Sequence, residues 1–470
     1  MIGGLGFRCL PRLGQESELQ SGVCDVRSCT RHSTIAHTKP WPAPFALSSR
    51  SQAAVEATAG MTRGRMSVQQ QNDRRSLIIE IASQKLNARG VSDEWFGEIA
   101  AEIGITRPAL YSYFRNRGDL LEACCLNTID TLHRTFAAVS RDAGDEAQTL
   151  KAFLEATISA TFPELAVVTE LNILPQESRE TVSRAWGALI QDISDVVVSG
   201  VSSGRLNDRH PFVIANGLLS LAMWPALQKR LVPESSPERI VQGAREFFLI
   251  GIGAVPVGSA FNYVLPERTT SAVDVFSQKA IVEARRALIM GRASALFNRK
   301  GIGATSIDDI VAATDVGKKT IFRLFGSKDA LVAACFRRAR AMELDIFEKA
   351  SELAGDRLVA LHAAVRMAVL ALGDPDAPML AAHVGSGRLS PDVRDEMYAG
   401  FAVLAKVYRE LVSEGIAQGG IRAIDVSSLA LAISGDLFWT AGFDESASPL
   451  SLFETANELA DIVVRGVLAR

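Results

Sequence analysis

Residues 98–123 read EIAAEIGITRPALYSYFRNRGDLLEA, and residues 309–334 read DIVAATDVGKKTIFRLFGSKDALVAA. Each string opens on an apolar stripe, breaks at a turn, continues into a short basic and aromatic segment, and ends on a new apolar run. The correspondence reaches outward on both sides. A stretch opening at Arg74-Arg75 recurs 211 residues later at Arg285-Arg286, and no gap is needed over the following fifty residues. Between 74 and 125, fourteen of 52 positions are identical: Arg74, Arg75, Leu77, Ile78, Ala82, Ser83, Asn87, Gly90, Ile99, Ala101, Phe114, Leu120, Ala123 and Cys124. Farther on, Gly204 maps to Gly419 and Trp224 to Trp439, with the offset slipped to 215. Duplication followed by divergence explains such a run, and chance similarity does not.

The local signals are helical. Leu77, Ile78, Ile81, Ala82 and Leu86 form one apolar stripe on a helix from Asp73 to Arg89, and Gly90 stops it. A short helix from Trp95 to Glu102 turns Phe96, Ile99 and Ala100 inward, and Gly104 makes a tight turn. Thr106 caps the next short helix, through Tyr111 to Phe114. Another helix starts near Gly118-Asp119. The second copy repeats these steps. A helix from Lys279 to Arg299 ends at Gly301, Thr305 caps a helix carrying Ile307, Ile310 and Val311, and Asp315-Val316-Gly317 makes the turn. Gly317 to Arg323 follows, and Ser327-Lys328-Asp329 opens the next helix. A supporting helix, a turn and a second helix whose first residues reach base edges is helix-turn-helix grammar.

The rest of the chain sets bounds. At 470 residues, two or three domains are expected. The net charge of −3 restricts any nucleic-acid surface to a local patch. No apolar run reaches the roughly 18 residues of a membrane helix. Six scattered cysteines without framework spacing suit a reducing compartment, and a cytoplasmic location is expected, on the nucleoid when DNA is bound. The first 65 residues are rich in Pro, Ser and Thr without helical periodicity and read as disordered. Translation from Met61 or Met66 would remove only this tail. Cys24, Cys29, His32 and His37 lie close together there, but their spacing matches no common closed zinc module. No metal site is expected. The helical pattern continues from 72 onward, broken by a connector rich in Gly, Pro and Thr near 255–272. The expected divisions are a tail over 1–70, heads over 72–132 and 283–343, bodies over 133–254 and 344–470, and a linker over 255–275. No nucleophile–base pairing, phosphate-binding glycine loop or paired-carboxylate signature stands out, so neither an enzyme nor a cofactor is expected.

The two quoted strings resemble the DNA-binding head of the TetR family of transcriptional regulators. The shared pattern is an Ile-Ala in the second helix, Val or Ile at the turn, an aromatic in the recognition helix, and Phe-x-x-Lys-x-x-Leu entering the next helix. The likeness is specific in the heads and generic in the bodies. The first head departs from it with Glu94 in place of Thr, Gly118 in place of an acidic residue, and Arg117 in place of Lys. The chain also carries two heads where most family members carry one and form homodimers.

The resemblance implies an all-α fold of two tandem TetR-like units, each a three-helix head on a helical ligand-binding and dimerisation body. It assigns phosphate contacts to Arg74 or Arg75, Tyr113 and Arg117, and to Arg285 or Arg286, Leu324 and Lys328. Base reading falls to Thr106, Arg107 and Tyr111, and to the Lys318, Lys319, Thr320, Phe322 and Arg323 segment. Phe114 and Phe325 are expected in the head cores. Between windows 68–126 and 279–337 the charge balance moves from −1 to +6, so the second head should carry more of the affinity. The implied partners are double-stranded operator DNA and a small apolar or amphipathic effector. The last two helices of each body, Pro211–Lys229 with Pro237–Ile250 and Asp425–Thr440 with Leu450–Val467, would pair within the chain. That makes an intramolecular pseudo-dimer, acting alone or as a homodimer. The middle helices would enclose an effector near Phe153, Phe162, Leu171, Trp186 and Leu189 in one body, and Leu361, Met367, Met379, Met397 and Phe401 in the other. Stripes of this kind are more often plain core. The expected activity is that of a ligand-released repressor reading an imperfect palindrome. The alternative is an interaction protein whose near-neutral first head has lost DNA binding.

Overall fold

In the computed structural model, residues 68–91, 94–159, 162–168, 171–231, 236–254, 261, 263–266, 277–381, 390–441 and 448–469 are described. They form sixteen α-helices and no strand. The first eight are α1 (Val68–Arg89), α2 (Trp95–Ile103), α3 (Arg107–Leu110), α4 (Arg117–Asp142), α5 (Glu146–Ile158), α6 (Gln176–Ser202), α7 (Pro211–Leu231) and α8 (Pro237–Ala244), the last prolonged by a π-turn over Arg245–Leu249. The second eight are α9 (Gln278–Ala304), α10 (Ile307–Thr314), α11 (Lys318–Phe325), α12 (Lys328–Leu353), α13 (Arg357–Leu372), α14 (Pro391–Ala417), α15 (Val426–Leu437) and α16 (Leu452–Arg465). Each helix of the second half thus answers the one eight places earlier. The expected disordered tail and its Cys/His cluster lie outside the described residues, as does most of the expected linker.

In each head the first helix packs its apolar stripe under the next two. Leu77, Ile78, Ile81, Ala82 and Leu86 are all buried, with Trp95, Phe96, Ile99, Leu110 and Phe114 closing over them. The Gly90 N–H closes on Leu86 O at 2.7 Å, and Gly104 adopts φ 75°, a backbone that a side chain disfavours. The Thr106 hydroxyl accepts from Ala109 N at 3.3 Å, as expected of the cap. In the second head Asp315 takes the left-handed turn position at φ 54°. Several expected boundaries shift. Helix α1 begins at Val68, inside the stretch read as tail, whereas α9 begins at Gln278, within one residue of the expected Lys279. Thr305 is not the cap of α10. It is buried and donates back to Gly301 O at 2.8 Å, while Ser306 caps the helix in a reciprocal box with Asp309. The extra turn wound after Gly301 moved the cap by one residue. Helix α4 starts at Arg117, beside the expected Gly118-Asp119, and Asn116 caps it.

Two contacts recur at the same repeat positions and fasten each head. The Cys124 thiol donates to Ile79 O at 3.8 Å and the Cys335 thiol to Met290 O at 3.6 Å. Burial pushes both thiols up to about 12, so they act as small core residues. Asn87 ties α1 to the body: its Nδ2 donates to Leu165 O at 2.7 Å, and its Oδ1 accepts from Val167 N at 2.8 Å. Asn298 does the same in the second half, giving to Met379 O at 2.9 Å and receiving from Ala381 N at 3.0 Å.

The two bodies meet through reciprocal arms. Leu206 bridges to Leu468, and Ile421 bridges to Gly253. Each first-half residue of these bridges lies 215 before a second-half one, so the exchange is mutual. The backbone bonds repeat the pattern. Asn207 N gives to Val467 O at 2.8 Å and Ala469 N to Arg205 O at 2.9 Å, while Arg422 N gives to Ile252 O and Ala254 N to Gly420 O, both at 2.9 Å. Gly251 and Gly466 face one another at the centre with φ 79° and 73°, and a methyl on either would overlap the other's backbone. Contacts of this self-complementary kind are those of an isologous interface. Ser220 of α7 also donates to Gly435 O of α15 at 2.6 Å. Ion pairs cross as well, Arg209–Asp461 at 2.9 Å and Arg422–Glu246 at 2.7 Å. The described part of the linker docks on α13, where the Tyr263 hydroxyl and His362 Nδ1 share a hydrogen bond of 2.6 Å.

Candidate nucleic-acid interface

The recognition segments keep their expected residues at the surface. Thr106, Arg107 and Tyr111 are exposed in the first head, as are Lys318, Lys319, Phe322 and Arg323 in the second, with Thr320 half-buried. Tyr111 and Phe322 occupy equivalent positions and are 45% and 41% exposed. Tyr111 rests one side of its ring on the buried Phe96, with centroids 5.1 Å apart, and leaves the rest of the ring to solvent. Tyr113 and its counterpart Leu324 are half-buried, Arg117 is exposed and Lys328 half-buried. Arg117 and Lys328 open α4 and α12, where backbone N–H groups favour an anion. Phe114 and Phe325 are buried, as head-core residues should be.

The arginine pairs divide their labour. Arg75 places its guanidinium 4.3 Å from the Phe114 ring centroid and donates to Tyr113 O at 3.0 Å. Arg286 lies 4.5 Å from the Phe325 ring and donates to Leu324 O. Both therefore clamp the end of the recognition segment onto the first helix, and the repeat of Arg with Phe at one spacing in both heads was the available sequence signal. Arg285 is exposed and Arg74 half-buried.

The surroundings of the two recognition helices differ. Arg107 lies in an open hollow with Glu94, Gly97, Glu98, Tyr111 and Arg117. Its counterpart Lys318 pairs with Asp308 at 3.0 Å, but both side chains are well exposed, so the pair competes weakly with phosphate. Asp309, the counterpart of Glu98, is occupied elsewhere. Lys300 at 2.8 Å, followed by Ser306, holds its carboxyl down to about 2. The second head thus presents Lys318, Lys319 and Arg323 with Asp308 paired to Lys318, whereas Glu94 and Glu98 share the hollow of Arg107 in the first.

The residues expected around an effector are spread out. Phe153 is core, edge-on to Phe136 with centroids 5.4 Å apart. Phe162, Leu171 and Trp186 are half-buried. Leu189, Leu361 and Met379 are buried, and Met367 packs on the cluster of Ile346, Ala350, Ala363 and Ala364. Met397 lines a cavity of about 110 Å³ between α12 and α14. The Phe401 side chain lies outside the described residues. Among the described residues no His, Cys, Asp and Glu group could hold a metal, and no helix is long and apolar enough to cross a membrane.

Two helix-turn-helix heads, each on its own helical body, define a tandem protein of the helix-turn-helix class. A family model described as bacterial regulatory proteins, tetR family, matches residues 78–124 and again 289–335. Both heads are thus TetR-type DNA-binding domains, and the chain resembles the TetR family in a form with two such units. It is 32% identical over 82 residues to the HTH-type transcriptional regulator TtgR of Pseudomonas putida, and equally to the probable HTH-type transcriptional regulator ArpR of Pseudomonas putida. Those matches span 17% of this chain and 37% of each relative. Among solved structures, the TetR family regulator PfmR from Thermus thermophilus is 26% identical with a TM-score of 0.33, covering 38% of this chain and 97% of that one. AibR in complex with isovaleryl coenzyme A and operator DNA is 19% identical with a TM-score of 0.34, covering 38% of this chain and 97% of that one.

Proposed function

We propose that this chain is a sequence-specific DNA-binding transcriptional regulator, a ligand-released repressor whose two non-identical heads read the two halves of an imperfect palindrome. The observation that carries the reading is the pair of outward aromatics at equivalent positions, Tyr111 just past the helix that Arg107 opens and Phe322 within the helix that Lys318 and Lys319 open. The reciprocal arms around Gly251 and Gly466 support an intramolecular pseudo-dimer, in which one chain presents what two chains present elsewhere. Release would follow if an effector binds better to the arrangement whose heads are misplaced for DNA.

Selection of duplexes from a random library with the full chain tests this, followed by footprinting and mass measurement of the complex. The expected result is one asymmetric site about two major-groove turns long, bound by one chain. Failure to enrich any sequence would overturn the reading. A second reading, in which the first head serves interaction and not DNA, is favoured by Glu94 and Glu98 beside Arg107. An enriched site carrying information in one half only would select it.

A further inference from the structure

The two bodies differ at one place in a concerted way. In the first half, Glu122 of α4 accepts from the Ser178 hydroxyl of α6 at 2.7 Å, and the Thr128 hydroxyl donates to Ala166 O at 3.0 Å. Ile129, Leu132 and Val182 fill the space between as buried aliphatics, with Cys125 beside them. In the second half Glu122 and Ser178 become Ala333 and Val393, and Thr128 and Ala166 become Ala339 and Leu380. Ile129, Leu132, Val182 and Cys125 become Arg340, Glu343, Met397 and Phe336. All of these second-half residues line the cavity of about 110 Å³. The polar staples of the first body have become small or apolar walls. Two aliphatics have become an ion pair, Arg340 to Glu343 at 2.8 Å, with side chains only 18% and 23% exposed.

Nothing in the fold requires that pair, because the first body packs the same site with hydrocarbon. Shielded ion pairs contribute little to stability compared with such packing. Gly400 lies against the Arg340 guanidinium and makes room for it, where the first half has Ala185. A second pair, Arg337–Glu396 at 2.9 Å, stands half-exposed among the lining residues.

Resting on the regulator reading above, we propose that effector sensing is confined to the second body, whose cavity takes a small carboxylate with a short apolar tail, held by Arg340. The tail would lie among Phe336, Leu380, Val393 and Met397. A cavity of about 150 Å³ holds benzene, so this one suits a tail of about four carbons. Arginine keeps its charge and offers a planar fork that matches a carboxylate. Glu343 is the group that yields. Burial pushes its carboxyl up to about 7 against the pull of Arg340, so a proton taken up there frees the guanidinium for the ligand. The first body, closed by Thr128, Ile129, Leu132 and Val182, senses nothing at the equivalent site.

Calorimetry with the full chain tests this, using sodium valerate against pentylamine and pentanol as probes. Valerate should bind, at least tenfold more weakly in Arg340→Gln. It should also be excluded by Met397→Phe, which fills the cavity and leaves the arginine in place, so that one variant remains informative if the other fails to fold. Binding of pentylamine in preference to valerate would overturn the anion assignment. Valerate binding that survives both variants, or no binding of any probe, would overturn the cavity as the sensor. Anisotropy on the selected duplex separates the two readings: DNA binding without valerate binding sinks only this inference, while absent DNA binding sinks the regulator reading.

Discussion

Asp436 stands in α15 where Leu221 stands in α7, and its carboxyl is fully buried between the two bodies, with neither oxygen hydrogen-bonded among the described residues. Gly217 of the first half lies against it, where an added methyl would overlap its Oδ1. Burial pushes this carboxyl up to about 8, far above an ordinary aspartate. The folded state therefore holds a proton that the unfolded chain releases near pH 4. The contribution is fully present below that value and is lost as pH rises towards 8. Asp436→Leu should raise the stability at pH 8 by on the order of 2 kcal/mol. It should also flatten the fall in melting temperature between pH 5 and pH 8. An unchanged pH profile in scanning calorimetry would contradict this account.

The clamp made by Arg75 and Arg286 separates two roles that a basic residue near DNA can play. A pure phosphate contact, once removed, lowers the salt slope by about one and leaves stability alone. A clamp on the head core costs stability instead. Arg286→Ala should destabilise the second head by about 1–2 kcal/mol, from the lost ring contact and the orphaned Leu324 carbonyl. Arg285→Ala, at the exposed neighbour, should change the salt slope and not the melting curve. Denaturant titration beside salt-dependent anisotropy distinguishes them.

The heads should differ in what charge reversal does. Lys318→Glu with Lys319→Glu reverses two exposed cations at the start of the second recognition helix and should weaken binding to the selected duplex by more than a hundredfold at moderate salt. Arg107→Glu should cost less, because Glu94 and Glu98 already depress the first head. Glu94→Thr, which restores the residue of the second head, should strengthen binding several-fold. No gain from that substitution would show that the glutamates do not face the DNA.

Much of this was legible in the sequence because the deciding signals are local. Gly90, Gly104, Gly301 and Asp315 punctuate the heads through backbone geometry that neighbouring residues alone determine. The exposed recognition residues follow from helix periodicity once the turns are fixed. Asn87 and Asn298 show where local reading stops. Their identity was visible, but their partners lie 78 to 83 residues away in loops with no pattern of their own. Asp436, Arg340 and Glu343 read as ordinary surface charge until packing encloses them. Only a comparison of equivalent positions, Leu221 with Asp436 or Ile129 with Arg340, carried a hint. The misplaced cap at Thr305 has another cause: Thr and Ser stand side by side, and the turn wound after Gly301 decided between them.

Asn298 supplies the last expectation, because it bonds to both neighbours of a cavity-lining residue. Met379 O and Ala381 N are its partners, and Leu380 between them faces the Arg340 cavity. Arg338 holds the same loop from α12 through Ala377 O at 2.7 Å and Pro378 O at 2.8 Å. Displacement of Leu380 by an occupant must therefore be absorbed by Asn298 or passed to α9 and the second head. Asn298→Ala leaves two backbone groups unpartnered and should cost about 1–3 kcal/mol of stability. It should also leave valerate affinity within about twofold, while abolishing the effect of valerate on DNA affinity, since coupling needs a shared element that both sites bias. Asn87→Ala should carry at least the same stability cost, because Asn87 makes the same two bonds and a third to Glu164 at 3.3 Å, yet leave the valerate response intact. Equal loss of response in both variants would mean that the first body senses too, and that the asymmetry between Thr128 and Ala339 has no regulatory consequence.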